Sequence, residues 1–428
     1  MKNLTVSAAR KPASAAGSGE PLQENTGSLH DAKMNHRQFI VCLLFFIGAS
    51  LFSGDFQFSP ENKRLIAAGG AYPRLYALKD GSWLLGCDDG RILVRRSEDE
   101  GRSWSAPSVA SFHDEAFCAN VAFHELPDGA VLCAYRAIGR APLAPYARGI
   151  YCSISRDGGV TWREYNTVVS NFGLGLGEKK ILDTMSQGRD TGFYEPFIGE
   201  INGIVTVLYA DDFSPMAENV RRNPGANHQC QRIMAKELVD GVWTNPRIIM
   251  DGAVGKTVGG ITSFSRDGMP VFARMKTGEY VVVFEGTYRN RPETDSVRFE
   301  ILMAWSADGV TWSAPFEVFV PKGRGTKAAA PYVCVTDGNR LVVSFQTDED
   351  CFAATGETGD SVSVMKCVIS DGTPIREMDR THFSPPQDIF FLAPGESGLW
   401  NGMMYRNGVL SCVSGLRDGI GINSCAVP

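Results

Sequence analysis

Along most of the chain, short apolar runs end in a small polar turn and are answered by a second apolar run. The turns fall at Asp80-Gly81, Asp128-Gly129, Asn202-Gly203, Thr277-Gly278, Asp337-Gly338 and Asn407-Gly408. Answering runs include Ser82 to Leu85, Ala130 to Cys133, Ile204 to Val207, Tyr280 to Val283, Leu341 to Ser344 and Val409 to Cys412. Asp-Gly and Asn-Gly between apolar runs favour two-residue hairpins, because such turns need positive φ. The six glycines lie 48, 74, 75, 60 and 70 residues apart, which fits one four-stranded blade per repeat with loops of variable length. The expected fold is all-β: a six-bladed β-propeller of four-stranded antiparallel blades.

A second repeat overlays the first. Ser97 to Trp104 and Ser155 to Trp162 share the pattern Ser-x-Asp-x-Gly-x-Ser/Thr-Trp, and Ser306 to Trp312 repeats it with one residue deleted. Asp240 to Trp243 and Ser370 to Thr373 look like decayed copies. The Asp caps its own turn, the Gly supplies the unusual φ and the Trp packs beneath. This pattern resembles the Asp box of sialidase-like propellers, and its expected role is structural. Placed at the third-to-fourth strand turn, it marks the face shared with the first-to-second turns and leaves the other face for chemistry.

The chain of 428 residues has 46 glycines and a net charge of -6, so no basic field is present to draw nucleic acid. Residues 1–54 read as a polar, disordered tail plus an apolar segment at 39–52. That run is short for a membrane span and suits a signal peptide core, preceded by His36 and Arg37 and with small residues Gly48 and Ser50 near its end. The reading is export, with membrane attachment only if the segment stays uncleaved, and Met34 is an alternative start to Met1. Residues 55–428 form the propeller domain, expected as a monomer. The cysteines show no Cys-x-x-Cys pair and the histidines no cluster, so no metal site is expected.

Seven to nine residues outward from each glycine, first strands should begin near Arg74, Asn120, Glu195, Pro270, Pro331 and Trp400. Second strands should end near Asp88, Arg136, Tyr209 to Asp212, Glu285, Gln346 to Asp350 and Gly415 to Arg417. These ends converge on one axis as a polar funnel. Two carboxylates stand out there. Glu195 sits between aromatics in Gly-Phe-Tyr-Glu-Pro-Phe, and Glu285 directly follows the buried run Val281 to Phe284. Apolar surroundings raise a carboxyl pKa, and two carboxylates facing across a sugar are the minimum for glycoside hydrolysis. The alternative is that each Glu ties blades together. Arg74, Asn120, Arg136, Asp211 and Asp348 are candidate polar contacts, and Tyr194 and Trp400 candidate stacking surfaces for a sugar ring.

More specific strings follow: Tyr-Pro-Arg-Leu at 72–75, Gly-Phe-Tyr-Glu-Pro-Phe at 192–197, Asp-Gly-Met-Pro at 267–270, Val-Val-Phe-Glu-Gly at 282–286 and the run at 341–350. Together they resemble glycoside hydrolase family 93, the exo-α-1,5-L-arabinanases, over about residues 65 to 415. The resemblance implies a six-bladed propeller and a retaining mechanism that releases arabinobiose from arabinan. It implies Glu195 and Glu285 as the catalytic pair, a polysaccharide or oligosaccharide substrate, and no cofactor or metal. The insertion at Pro215 to Gln231, with Arg221, Arg222 and His228, is expected to cap the cleft or alter sugar specificity. Two rivals stand: an exo-sialidase, which needs three arginines (Arg74 with two from Arg136, Arg274 and Arg289) and a late Tyr such as Tyr405, and a non-catalytic glycan-binding propeller.

Overall fold

The computed structural model describes residues 56–427, apart from 114–115, 140–147, 172–191, 216–217, 219–229, 254–255, 259–260, 264, 288–297 and 394–395. The tail and the apolar run at 39–52 lie outside the described residues, as do Arg221, Arg222, His228 and Arg289.

Six four-stranded antiparallel sheets make the blades. Blade 1 is Ala71–Ala77, Trp83–Asp88, Ile92–Ser97 and Ser108–Val109. Blade 2 is Ala116–Glu125, Val131–Gly139, Arg148–Ser155 and Arg163–Ser170, and blade 3 is Phe193–Ile201, Ile204–Asp211, Arg232–Val239 and Val242–Asp251. Blade 4 is Gly268–Arg274, Tyr280–Gly286, Glu300–Ser306 and Phe316–Phe319, and blade 5 is Ala328–Val335, Leu341–Thr347, Val364–Ile369 and Gln387–Asp388. Blade 6 takes Gly398–Arg406, Val409–Leu416 and Gly419–Ala426 from the C-terminus, and its outer strand, Arg64–Ala68, from the N-terminal side. Nothing in the hairpin repeat announces that closing strand, whose five residues are mostly exposed.

First strands of neighbouring blades touch all the way round the axis. The apolar core is divided into six seams, one between each pair of blades. Leu84, Val121 and Tyr135 fill the seam of blades 1 and 2, and Leu132, Ile198 and Val207 that of blades 2 and 3. Leu208 and Phe284, Val283 and Phe345, Cys367 and Met403, and Leu85 and Val413 fill the next four. Each sheet is covered on both faces, so its middle strands read as continuous apolar runs.

Only two of the six first-to-second turns have the expected two-residue form. Asn202-Gly203 and Asn407-Gly408 join strands that end at Ile201 and Arg406. The other four share a five-residue connection in which the first N–H bonds the last carbonyl, as in Leu78 to Ser82 (2.8 Å), Leu126 to Ala130 (2.7 Å), Met275 to Glu279 (2.7 Å) and Thr336 to Arg340 (2.9 Å). A left-handed residue then bonds back three positions: Gly81, Gly129 and Gly278, but Asn339 rather than Gly338 in blade 5. Both two-residue turns are Asn-Gly, and the three Asp-Gly turns and Thr277-Gly278 take the longer form.

The Ser-x-Asp turns close on themselves. Ser97, Ser155 and Ser306 hydroxyls each accept a glycine N–H at 2.8 Å, from Gly101, Gly159 and Gly309. Asp99, Asp157 and Asp308 accept the N–H of Ser103, Thr161 and Thr311. They sit on the first-to-second turn face, where Asn202 Nδ2 donates to the Asp308 carbonyl (2.7 Å).

Candidate active site

One local device, repeated six times, builds the opposite face. Every first strand carries a β-bulge near its start, seen as a break in pairing after Ala71, Ala119, Tyr194, Gly268, Ala329 and Leu399. The next residue is left-handed in each case: Tyr72 (φ 48°), Asn120 (58°), Glu195 (51°), Met269 (52°), Ala330 (51°) and Trp400 (52°). All but Asn120 are residue types that do not favour this region, so the tertiary structure imposes it. The bulge takes a backbone N–H out of its own ladder and turns side chains toward the axis.

Those freed N–H groups find acceptors in the preceding blade. Asn120 N–H donates to Asp88 Oδ2 (3.2 Å), Ala330 N–H to Glu285 Oε2 (2.9 Å) and Trp400 N–H to Gln346 Oε1 (2.9 Å). Asp88, Glu285 and Gln346 hold the same place on their second strands, each paired with the residue before its own bulge. Met269 N–H instead donates to Glu195 Oε2 (3.1 Å). Both glutamates therefore do tie blades together, each through one oxygen.

The two glutamates also come to one segment. Glu195 binds the Met269 N–H, and Glu285 pairs with Gly268, the residue before it. Arg266 joins them: its Nη1 lies 3.5 Å from Glu285 Oε1, its guanidinium rests 5.3 Å over the Phe299 ring, and the charges of Glu285, Glu195 and Asp212 hold it protonated. Burial pushes the Glu285 carboxyl up; Arg266 opposes that and the Glu195 charge adds to it. Burial likewise raises Asp88 and Asp212, each to about 7. Tyr72 lies across the funnel, its ring stacked on Trp400 (4.4 Å, 16°), its hydroxyl near Asn120 and within the field of Glu195 and Glu285; burial raises its pKa.

The other expected site residues have varied fates. Arg136 stands in the funnel, 5.2 Å over the Tyr194 ring and close to Asp88. Tyr194 is buried beside Arg148 and Asp212. Asp211 is buried and accepts the Ser214 N–H (2.9 Å). Arg74 is not available to a substrate: its Nη1 donates to the carbonyls of Pro73 (2.8 Å), Trp400 (3.1 Å) and Asn401 (2.8 Å), stitching blade 1 to blade 6. Asp348 is a correction too. The run at 347–350 opens a short helix, Glu349–Thr355. Asp348 is fully buried and accepts the N–H of Lys327 and Gly359, both at 2.8 Å. One Trp400 face is taken by Tyr72 rather than left for a sugar.

Arg266, Tyr72, Asp88 and Asp212 were not picked out as site residues from the sequence. A usable signal existed for Tyr72: Pro follows the bulged residue in four blades, at Tyr72-Pro73, Glu195-Pro196, Met269-Pro270 and Ala330-Pro331. Arg266 has no such mark, because a parallel bridge between Gln231 and Arg266 delivers it from outside the repeat. Among the described residues no group of three or more His, Cys, Asp or Glu is arranged to hold a metal ion.

Solved structures share this architecture. The arabinanase of Penicillium chrysogenum in complex with arabinobiose matches at 17% identity and TM-score 0.56, over 86% of this chain and 96% of that one. The chain has the fold of the family 93 arabinanases. The family 93 α-L-arabinofuranosidase of Fusarium graminearum with arabinobiose gives 18% identity and TM-score 0.55, over 86% and 94%. A Dyadobacter fermentans protein of unknown function gives 13% and 0.57, over 87% and 100%. No protein-family model and no curated protein sequence matches the chain. The family 93 likeness thus concerns the fold, and the chemistry rests on the site.

Proposed function

We propose that this protein is a retaining glycoside hydrolase, an exo-acting α-1,5-L-arabinanase that releases arabinobiose from arabinan. The observation that carries the reading is the convergence of Glu195 and Glu285 on the Gly268-Met269 segment, with Arg266 beside them. The fold shared with two carbohydrate hydrolases described with arabinobiose supports the substrate class.

Each carboxylate has one oxygen fixed by a backbone N–H, and the second oxygen of Glu285 faces Arg266 Nη1 at 3.5 Å. Glu285, raised by burial and by the charge of Glu195, is the proton donor to the leaving oxygen. Glu195 attacks the anomeric carbon, the bond to the leaving sugar breaks, and a glycosyl-enzyme ester forms. In the second step Glu285, now ionised, takes a proton from water, which attacks the same carbon and returns the electron pair to Glu195. Arg266 keeps the pair from repelling the developing charge. Export follows from the apolar run at 39–52, and the enzyme acts as a monomer.

The exo-sialidase reading loses its parts. Arg74 is bound to three carbonyls, Arg274 packs on Tyr280 at the turn end of its strand, and the Tyr405 hydroxyl donates to Asp337 at that same far end (3.0 Å). The test is incubation of residues 55–428 with linear α-1,5-arabinan and chromatography of the products. Arabinobiose from wild type and none from Glu285→Gln supports the proposal. Binding of arabinan without hydrolysis would replace it with the glycan-binding propeller.

A further inference from the structure

Gln231 is fully buried, yet neither polar atom of its carboxamide meets a partner among the described residues. Its backbone is held firmly: its N–H donates to Ser265 O (3.1 Å), its carbonyl accepts from Asp267 N–H (3.4 Å), and it bridges Arg266 in parallel. A buried amide with no partner costs about 1–3 kcal/mol, which a fold rarely tolerates without a ligand to satisfy it. The side chain is aimed at Glu285. A methyl carbon placed on Gly268 would lie 2.7 Å from Gln231 Oε1 and 3.5 Å from Glu285 Oε1. Glycine at 268 therefore leaves the carboxamide and the carboxylate facing one shared space.

We infer that Gln231 is a positioning residue for the water of the second step, holding it against Glu285 while the glycosyl-enzyme ester awaits attack. The inference rests on the retaining reading above. The carboxamide oxygen accepts one water proton and Glu285 takes the other, so the water lone pair points away from both, toward the anomeric carbon. The water oxygen bonds to that carbon, the carbon–oxygen bond to Glu195 breaks, and the pair stays on the Glu195 carboxylate. The first step needs no water and should not depend on Gln231.

The experiment uses an aryl α-1,5-L-arabinobioside with a good leaving group and compares wild type with Gln231→Met and Gly268→Ala. In Gln231→Met, kcat should fall by about tenfold or more while kcat/KM stays within about threefold, because kcat/KM reports only the first step. A burst of aryl alcohol should appear before steady state, and added methanol should restore turnover less than in proportion to the loss. A fall in kcat/KM with no burst, or unchanged kcat, overturns the inference. Gly268→Ala fills the same space from the other side and should show the same pattern. A high-resolution crystal structure of wild type provides a separate reading: a solvent peak within hydrogen-bond reach of both Gln231 and Glu285 is expected, and its absence overturns the inference. Inactive wild type would sink the arabinanase reading and the kinetic role together, while the solvent site is still judged by its own density.

Discussion

At the scale of single residues, the site is made by charges that the fold holds out of water. Glu285, Asp88 and Asp212 are all pushed up by burial. Such acids keep their protons in the folded state at a pH where the unfolded chain has lost them, so stability falls as pH rises through that window. For Asp88 and Asp212 the window runs from about 4, the ordinary Asp range, to about 7. Asp88→Asn keeps an oxygen for the Asn120 N–H and removes the buried charge. It should raise the urea midpoint more at pH 8 than at pH 5; an equal gain at both would show that the carboxyl titrates normally. The same raised Glu285 places the alkaline limb of the activity profile above the ordinary Glu pKa of about 4.3. Glu285→Gln and Glu195→Gln should each lower kcat by about 10²–10⁴-fold on arabinan. With an activated aryl substrate the two should separate: Glu285→Gln retains a fast first step and Glu195→Gln does not.

At the scale of the element, the six bulges and the Ser-x-Asp turns divide the labour between the two faces. The bulges are strained and hold the funnel; the turns are satisfied and hold the base. Removing the Ser155 hydroxyl leaves the buried Gly159 N–H without its acceptor at 2.8 Å. Ser155→Ala should therefore cost about 1–3 kcal/mol in urea unfolding and leave kcat unchanged, since the turn lies on the far face. A loss of kcat at full stability would give that turn a catalytic role. Arg74 shows how a single element closes the ring. Blade 6 offers Gly415 at the position where Asp88, Glu285 and Gln346 reach across to the next blade, so Arg74 makes the link by bonding carbonyls of blade 6. Gly402 makes room for it, because a side chain there would lie 2.7 Å from Pro73 O.

At the scale of the molecule, stability is a ring of six seams, and a ring is only as good as its closure. The closing strand Arg64–Ala68 covers the edge of Gly419–Ala426, and Phe58 packs into the seam of blades 5 and 6. Starting the chain at Gly70 rather than Phe56 should expose that edge and give aggregation or a much lower melting temperature; an unchanged melting curve would mean that the closure is ornamental. Among the described residues Cys87, Cys133, Cys152, Cys334, Cys351, Cys367, Cys412 and Cys425 are free thiols, six of them buried. Burial pushes the Cys87 thiol up to about 11 and those of Cys334 and Cys425 up to about 12. Reducing agent should accordingly leave the melting temperature where it was.

Much of this was already written in the order of residues. Blade number, strand direction and the facing ends of strands follow from the hairpin repeat, since local turn chemistry and apolar runs act over a few neighbouring positions. Glu195 and Glu285 were legible as carboxylates set against apolar runs, and the resemblance to family 93 named the same two. What stayed hidden depends on contacts between distant parts of the chain. The closing strand is unrecognisable until its partner, over 350 residues away, presents an edge. Arg74 and Asp348 read as site residues because they are polar at strand ends, yet close packing turned one to carbonyls and the other to backbone N–H groups. Arg266 and Gln231 reach the space beside Glu285 through a bridge that joins two blades. Periodicity places strands and their ends; whether a charge at an end faces substrate or backbone is settled only when neighbouring blades compete for its hydrogen bonds.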